Sequence, residues 1–98
     1  MAQLDPKYQP YYQAAADTDV VVKGKPGFLH AIILGKYVSG GILEVSDHAT
    51  DGDGNVTVYL TSGTTDVSCP KTIIVDLEFK VGITADVTNY TNVTFVYR

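Results

Sequence analysis

The chain has 98 residues, 45% of them hydrophobic and 18% charged, with a formal net charge of −4. That length is one domain, which buries only roughly 60–65% of the surface its unfolded form exposes, so a multidomain machine is excluded and an isolated fold is marginal. The seven Lys and Arg are scattered without a basic patch, which argues against a phosphate-backbone partner, and the single cysteine, Cys69, excludes an internal disulfide framework or a multi-cysteine zinc cluster.

The N-terminal stretch from Met1 to Tyr8 lacks the basic start and apolar run of a signal peptide. The longest apolar run, Ala31 to Leu34, is far short of a bilayer span. The chain is therefore expected to be made and used, or assembled into something larger, in a cytoplasm, with no membrane partner. On that expectation the Asn-X-Thr triplets at Asn55, Asn89 and Asn92 read as Thr-rich strand sequence and not as glycan acceptors.

In chain order, residues 1–17 form an N-terminal arm, either extended or with a short helix through Ala14, Ala15 and Ala16. Pro10 suits the first position of such a helix, where its missing N–H is no loss. Tyr8, Pro10, Tyr11 and Tyr12 concentrate amphipathic surface of the kind that orders on a protein partner. From residue 18 onward the composition turns to Val, Ile, Thr and Tyr punctuated by Gly, which is that of pleated sheet. Val20-Val21-Val22 is a short strand. Gly24-Lys25-Pro26-Gly27 is a tight turn in which Pro26 fixes one φ and Gly27 is free to take a positive one. Phe28 to Leu34 is apolar on both faces except at His30, as in a strand covered on both sides, either central or against a neighbouring subunit.

Beyond the punctuation at Gly35, Gly40 and Gly41, Leu43 and Val45 alternate with Glu44 and Ser46. After the Asp51–Gly54 turn, Val56, Val58 and Leu60 face inward with Thr57, Tyr59 and Thr61 outside. Ser62-Gly63 is the next turn. Ile73, Val75, Leu77, Phe79 and Val81 then form one apolar face, opposite Asp76, Glu78 and Lys80, whose charges serve solubility and discourage stray sheet pairing. Gly82 separates this strand from a further one at Ile83 to Val87. Val93, Phe95 and Tyr97 alternate at the C-terminus. About seven strands at regular spacing indicate an all-β chain: a small antiparallel β-sandwich or barrel-like sandwich over 18–98, with the arm extended from it.

Little in the pattern carries chemistry. Cys69 precedes Pro70, and His30 and His48 are the only histidines, but no spacing supplies a nucleophile with an oriented base, so no enzymatic activity is expected. His30 reads as a partly buried histidine bonded to backbone or lining a subunit contact, since zinc needs several ligands at workable spacing. Asp51-Gly52-Asp53-Gly54-Asn55 opens like a calcium loop, yet Val56 stands where the loop needs glycine and Ser62 where it needs a bidentate Glu. A polar hairpin turn explains these residues without an ion. Gly24–Gly27 lacks the following helix of a phosphate loop. No cofactor is expected. The candidate interface residues are Tyr8, Pro10, Tyr11 and Tyr12 of the arm, with Phe28 and His30 of the doubly apolar strand.

The stretch Val21-Val22-Lys23-Gly24-Lys25-Pro26-Gly27-Phe28-Leu29-His30-Ala31-Ile32 resembles the opening of small tailed-phage virion proteins. There a strand leads through a Gly-Pro-Gly turn, here with Lys25 inserted, into a hydrophobic strand. Leu77-Glu78-Phe79, Val81-Gly82-Ile83 and the close Asn92-Val93-Thr94-Phe95-Val96-Tyr97-Arg98 are similar as well, so the likeness covers most of residues 20–98 and leaves out the arm. It implies a β-sandwich of the head decoration or cement type on the exterior of the virion. The implied partners are the major capsid protein and copies of the chain itself, as a trimer or dimer, with no catalytic residues to carry over. A tail or head–tail subunit of the same fold is an alternative. So is a glycan-binding sandwich that stacks sugars on Tyr37, Tyr59 or Tyr90.

Overall fold

The computed structural model describes residues 8–50, 55–61 and 71–98, and the side chains of all of these except 36–40. Cys69, the Asp51–Gly54 turn and Ser62-Gly63 lie outside the described residues. Among the described residues six strands follow one another: β1 (Gln9–Gln13), β2 (Asp17–Lys23), β3 (Gly27–Asp47), β4 (Asn55–Thr61), β5 (Lys71–Phe79) and β6 (Ile83–Tyr97). The chain is all-β, as its alternation indicates, and every strand pairing is antiparallel.

Two long strands organise the rest. β3 and β6 pair from Leu29↔Tyr97 to Asp47↔Ile83. The pairing is extended one step by Phe28 and Arg98, which exchange both backbone hydrogen bonds at 2.9 Å. The free edge of β6 takes β1 along its C-terminal half and β2 along its N-terminal half. The free edge of β3 takes β5 along its N-terminal half and β4 along its C-terminal half. The result is one curled sheet, a half-barrel, with a β1–β6–β3–β5 leaf and a β2–β6–β3–β4 leaf joined through the same two strands. Phe28 to Leu34 is central in the sheet, flanked by β5 and β6; Leu29, Ile32 and Leu34 are buried in the core, while Phe28, His30 and Ile33 are only partly buried.

The sequence reads as if it breaks at Gly35, at Gly40-Gly41 and between Val87 and Asn92, but the strands run through. Gly35 continues β3 because it crosses Asn92: a Cβ there would stand 2.7 Å from both Asn92 Cβ and Asn92 O. The bend lies further on, where the register shifts between Tyr37 and Ile42 and residues 38–41 stand against Asn89 alone. Asn89 and Asn92 take left-handed φ values of 58° and 57°. Asparagine is among the few residues that tolerate this region. Two of the three Asn-X-Thr triplets are thus kink residues followed by strand.

The concave side holds the core. Leu29, Ile32, Leu34, Leu43 and Val45 of β3 meet Ile83, Ala85, Val87, Tyr90, Val93 and Phe95 of β6, with Val20, Val22 and Phe79 closing the ends. Three expected inward residues are exposed instead, Val56, Leu77 and Val81; in β2, Val21 is exposed between the buried Val20 and Val22. Val81 lies past the end of β5, in the turn. A register shift on β5, with Val75 and Asp76 together facing the single residue His30, interrupts the alternation before Leu77. The described part of the arm, from Tyr8 on, is extended, and Gln9–Gln13 is hydrogen-bonded to β6 instead of standing clear of the sheet; no helix forms through Ala14–Ala16. Gly27 is strand without a positive φ; its glycine is required because a Cβ would meet Arg98 O and Lys23 Cδ at 2.7 Å.

Asp47 ties one end of the half-barrel together. Its Oδ2 accepts from Lys80 N at 3.0 Å, and its Oδ1 accepts from Val81 N at 2.8 Å and Gly82 N at 3.3 Å, so the β5–β6 turn is folded around this carboxylate. Gly82 sits so deep in the same corner that a Cβ would stand 2.6 Å from His48 O and 2.9 Å from Lys23 O. Burial pushes the Asp47 carboxyl up, but the three amides and the nearby Lys80 ammonium outweigh it and hold the group below its ordinary value. A depressed folded-state pKa stabilises the fold above the unfolded-chain value of 3.8, and that contribution disappears as pH falls through the lower folded value. Asp47→Ala is expected to cost about 1–2 kcal/mol at pH 7. Urea titrations at pH 7 and below pH 3 check this: the gap between wild type and variant closes at the acid end.

Candidate functional site

The face of the β1–β6–β3–β5 leaf turned away from the core carries the candidate site. Cross-strand partners share a face, so the outward residues follow from the register. Pro10 pairs with Val96, Tyr12 with Thr94, and Thr94 with Ile33 of β3. Tyr8, Gln9, Pro10, His30, Ile33, Thr94 and Val96 line a groove of about 340 Å³ on this face. Its wall is predominantly apolar. Beside it Tyr12 and Ile74 are 59% and 60% exposed.

One end of the groove is polar and tightly built. His30 is the residue at which both neighbouring registers slip. Asp76, the extra residue on β5, takes a left-handed φ of 51°. The slip lets His30 Nδ1 meet Asp76 Oδ1 at 2.6 Å. Facing a carboxylate, Nδ1 is the donor of this contact. Tyr8 stacks on the imidazole with ring centroids 4.7 Å apart. The Arg98 guanidinium lies 5.7 Å from the Tyr8 centroid and 4.7 Å from the Phe28 centroid, which links Tyr8 and Phe28 through cation–π contacts.

Of the residues singled out in the sequence, Tyr8, Pro10 and His30 come together in the groove, and Phe28 stands next to it under Arg98. Tyr12 is on the same face, with its hydroxyl donating to Asn92 Oδ1 at 2.6 Å. Tyr11 points the other way: it packs on the core and tilts against Phe95 with ring centroids 6.4 Å apart. Strand alternation places Tyr11 opposite Pro10 and Tyr12, a signal available once the segment is read as strand. The Asp76 carboxylate is engaged by His30 and not simply solvated. Ile33, Val96, Asp76 and Arg98 were missed. The first two are visible as apolar residues at outward positions, whereas the His30–Asp76 pair depends on a bulge that no local pattern announces. Tyr90 is buried and unavailable for stacking on a sugar, while Tyr59 is exposed.

The arrangement is suited to holding a surface: flat apolar area, aromatic rims and a fixed polar corner. Among the described residues no group of three or more His, Cys, Asp or Glu is placed to hold a metal ion.

The division of labour among the tyrosines is measurable. Tyr11→Ala is expected to lower stability by about 2 kcal/mol through lost packing on Phe95. Tyr8→Ala is expected to cost less than about 1 kcal/mol, because its partners are at the surface. Urea denaturation of the two variants checks the order, and equal losses would contradict it.

No family model matches this chain, and no curated protein or solved structure matches it either.

Proposed function

We propose that this protein is a non-enzymatic structural component of a tailed-phage virion, one that decorates or cements the head by binding major capsid subunits. The observation that carries the reading is the outward face of the β1–β6–β3–β5 leaf, where Tyr8, Pro10, Ile33 and Val96 surround the groove and Tyr12 and Ile74 stand exposed beside it. An antiparallel sheet that meets water on one face ordinarily makes that face polar. An apolar outer face rimmed by tyrosine and a few polar groups is the composition of a protein contact. The resemblance of Val21–Ile32 and Asn92–Arg98 to stretches of phage virion proteins suggests the partner. The energetics agree, since a marginal small domain gains stability by mass action when many copies bind a lattice.

The test uses purified heads lacking this chain. Wild-type protein is expected to load on the order of hundreds of copies per head, as repeated lattice positions require. The double variant Ile74→Glu/Val96→Glu, with its fold verified by circular dichroism, is expected to leave heads bare. Equal loading by the variant, or no loading by the wild type, would contradict the reading. Loading of about a dozen copies at a single vertex would move the protein to the head–tail junction.

A further inference from the structure

Among the described strands the two leaves of the curled sheet have four outer edges, and they are not alike. β1 carries Pro10, which offers no N–H to a new neighbour. β2 carries Asp17, Asp19 and Lys23 and has register shifts along its pairing. β5 carries Lys71, Asp76 and Glu78 and the bulge that meets His30. Charges, proline and bulges are the devices by which edges resist pairing with other chains. β4 reads Asn55-Val56-Thr57-Val58-Tyr59-Leu60-Thr61, with no charge, no proline and no glycine. Its one irregularity is a bulge at Thr57, which falls between the Val45↔Val58 and Ser46↔Val56 pairings and has no partner on β3. From Val58 to Thr61 it follows β3 in unbroken register. Tyr59 is 56% exposed.

The run Thr57-Val58-Tyr59-Leu60-Thr61 also reads almost the same in both directions. In an antiparallel pairing with itself about a two-fold axis at Tyr59, Val58 faces Leu60 and Tyr59 faces Tyr59 of the second copy, with the bulged Thr57 beside Thr61. The exposure pattern fits this, with Val58 and Leu60 half-buried on the core side and Thr57, Tyr59 and Thr61 on the other. Apolar residues would meet apolar residues, and an aromatic pair would meet on the outer face, which are favourable cross-strand combinations. We infer that β4 is a self-association edge, through which two copies of this chain join their sheets in an isologous, two-fold contact. The contact is independent of the groove and of any capsid, because it uses the opposite leaf and a backbone edge instead of a face. A single strand pair is small against a standard interface, so it serves as a weak contact repeated in assembly.

Sedimentation of the isolated protein tests this without any particle present, so its outcome is separate from the capsid reading. Wild type is expected to be in monomer–dimer exchange with a dissociation constant near about 0.1 mM. Tyr59→Lys and Tyr59→Glu each place like charges against each other on the axis, and each is expected to weaken self-association about tenfold or more. Tyr59 is exposed, so both variants should keep the wild-type circular dichroism spectrum. Mixing the two variants in equal amounts is expected to restore association as a one-to-one pair, because opposite charges then meet on the axis. A wild type that remains monomeric at about 1 mM, a Tyr59→Lys variant that associates like wild type, or a mixture that stays monomeric would each overturn the inference.

Discussion

The pairing of β3 with β6 is the constraint on which the rest of the molecule depends. Each strand gives one edge to the other along nearly its whole length and splits its second edge between two shorter strands. Neither leaf is a sheet without them, and the core is assembled largely from their inward residues. A chain of this size has little apolar area to bury, so a single pairing that serves both leaves makes efficient use of it. The bend opposite Asn89 then turns the two leaves toward a common interior.

Departures from regular strand geometry sit where the architecture needs them. Among the described residues, the non-glycine positions with positive φ are Asp19, Asp76, Asn89 and Asn92. Asn89 marks the bend, Asn92 marks the close crossing with Gly35, and Asp19 lies in the irregular pairing of β2, where its amide donates to Asp86 Oδ1 at 2.7 Å. Asp76 differs in kind. Its conformation brings a carboxylate to His30 on the outer face, beside the groove, and left-handed backbone in a non-glycine residue persists only where the surroundings hold it in place. The corner formed by His30, Asp76, Tyr8 and Arg98 is thus fixed by backbone geometry as well as by side-chain contact.

Much of the fold is legible in the sequence, and particular residues show why the rest is not. Alternation at Val93, Phe95 and Tyr97, and at Leu43 and Val45, identifies strands and their buried faces correctly. The doubly apolar Phe28–Leu34 run correctly signals a central strand. Glycine misleads at Gly35, where it permits a close crossing instead of a turn. Pro10 and the alanines hide β1, because a proline-bearing edge strand has the composition of a loop or helix start. In the candidate site, Tyr8, Pro10 and His30 are identifiable as residue types suited to an interface. Their convergence is a tertiary fact. The bulge that pairs His30 with a residue 46 positions away depends on the register between β3 and β5, which local sequence does not encode.

The central claim is that this fold works by presenting one apolar face of its sheet to a partner. Amide hydrogen exchange of the protein free and bound to heads tests that most directly, because opening equilibria report both the spine and the covered surface. The account predicts slow exchange along the β3–β6 pairing in both states. It predicts new protection on binding at the outward face, over residues 9–13, 30–33 and 94–96. New protection that falls elsewhere, with these segments exchanging as in the free protein, would contradict it.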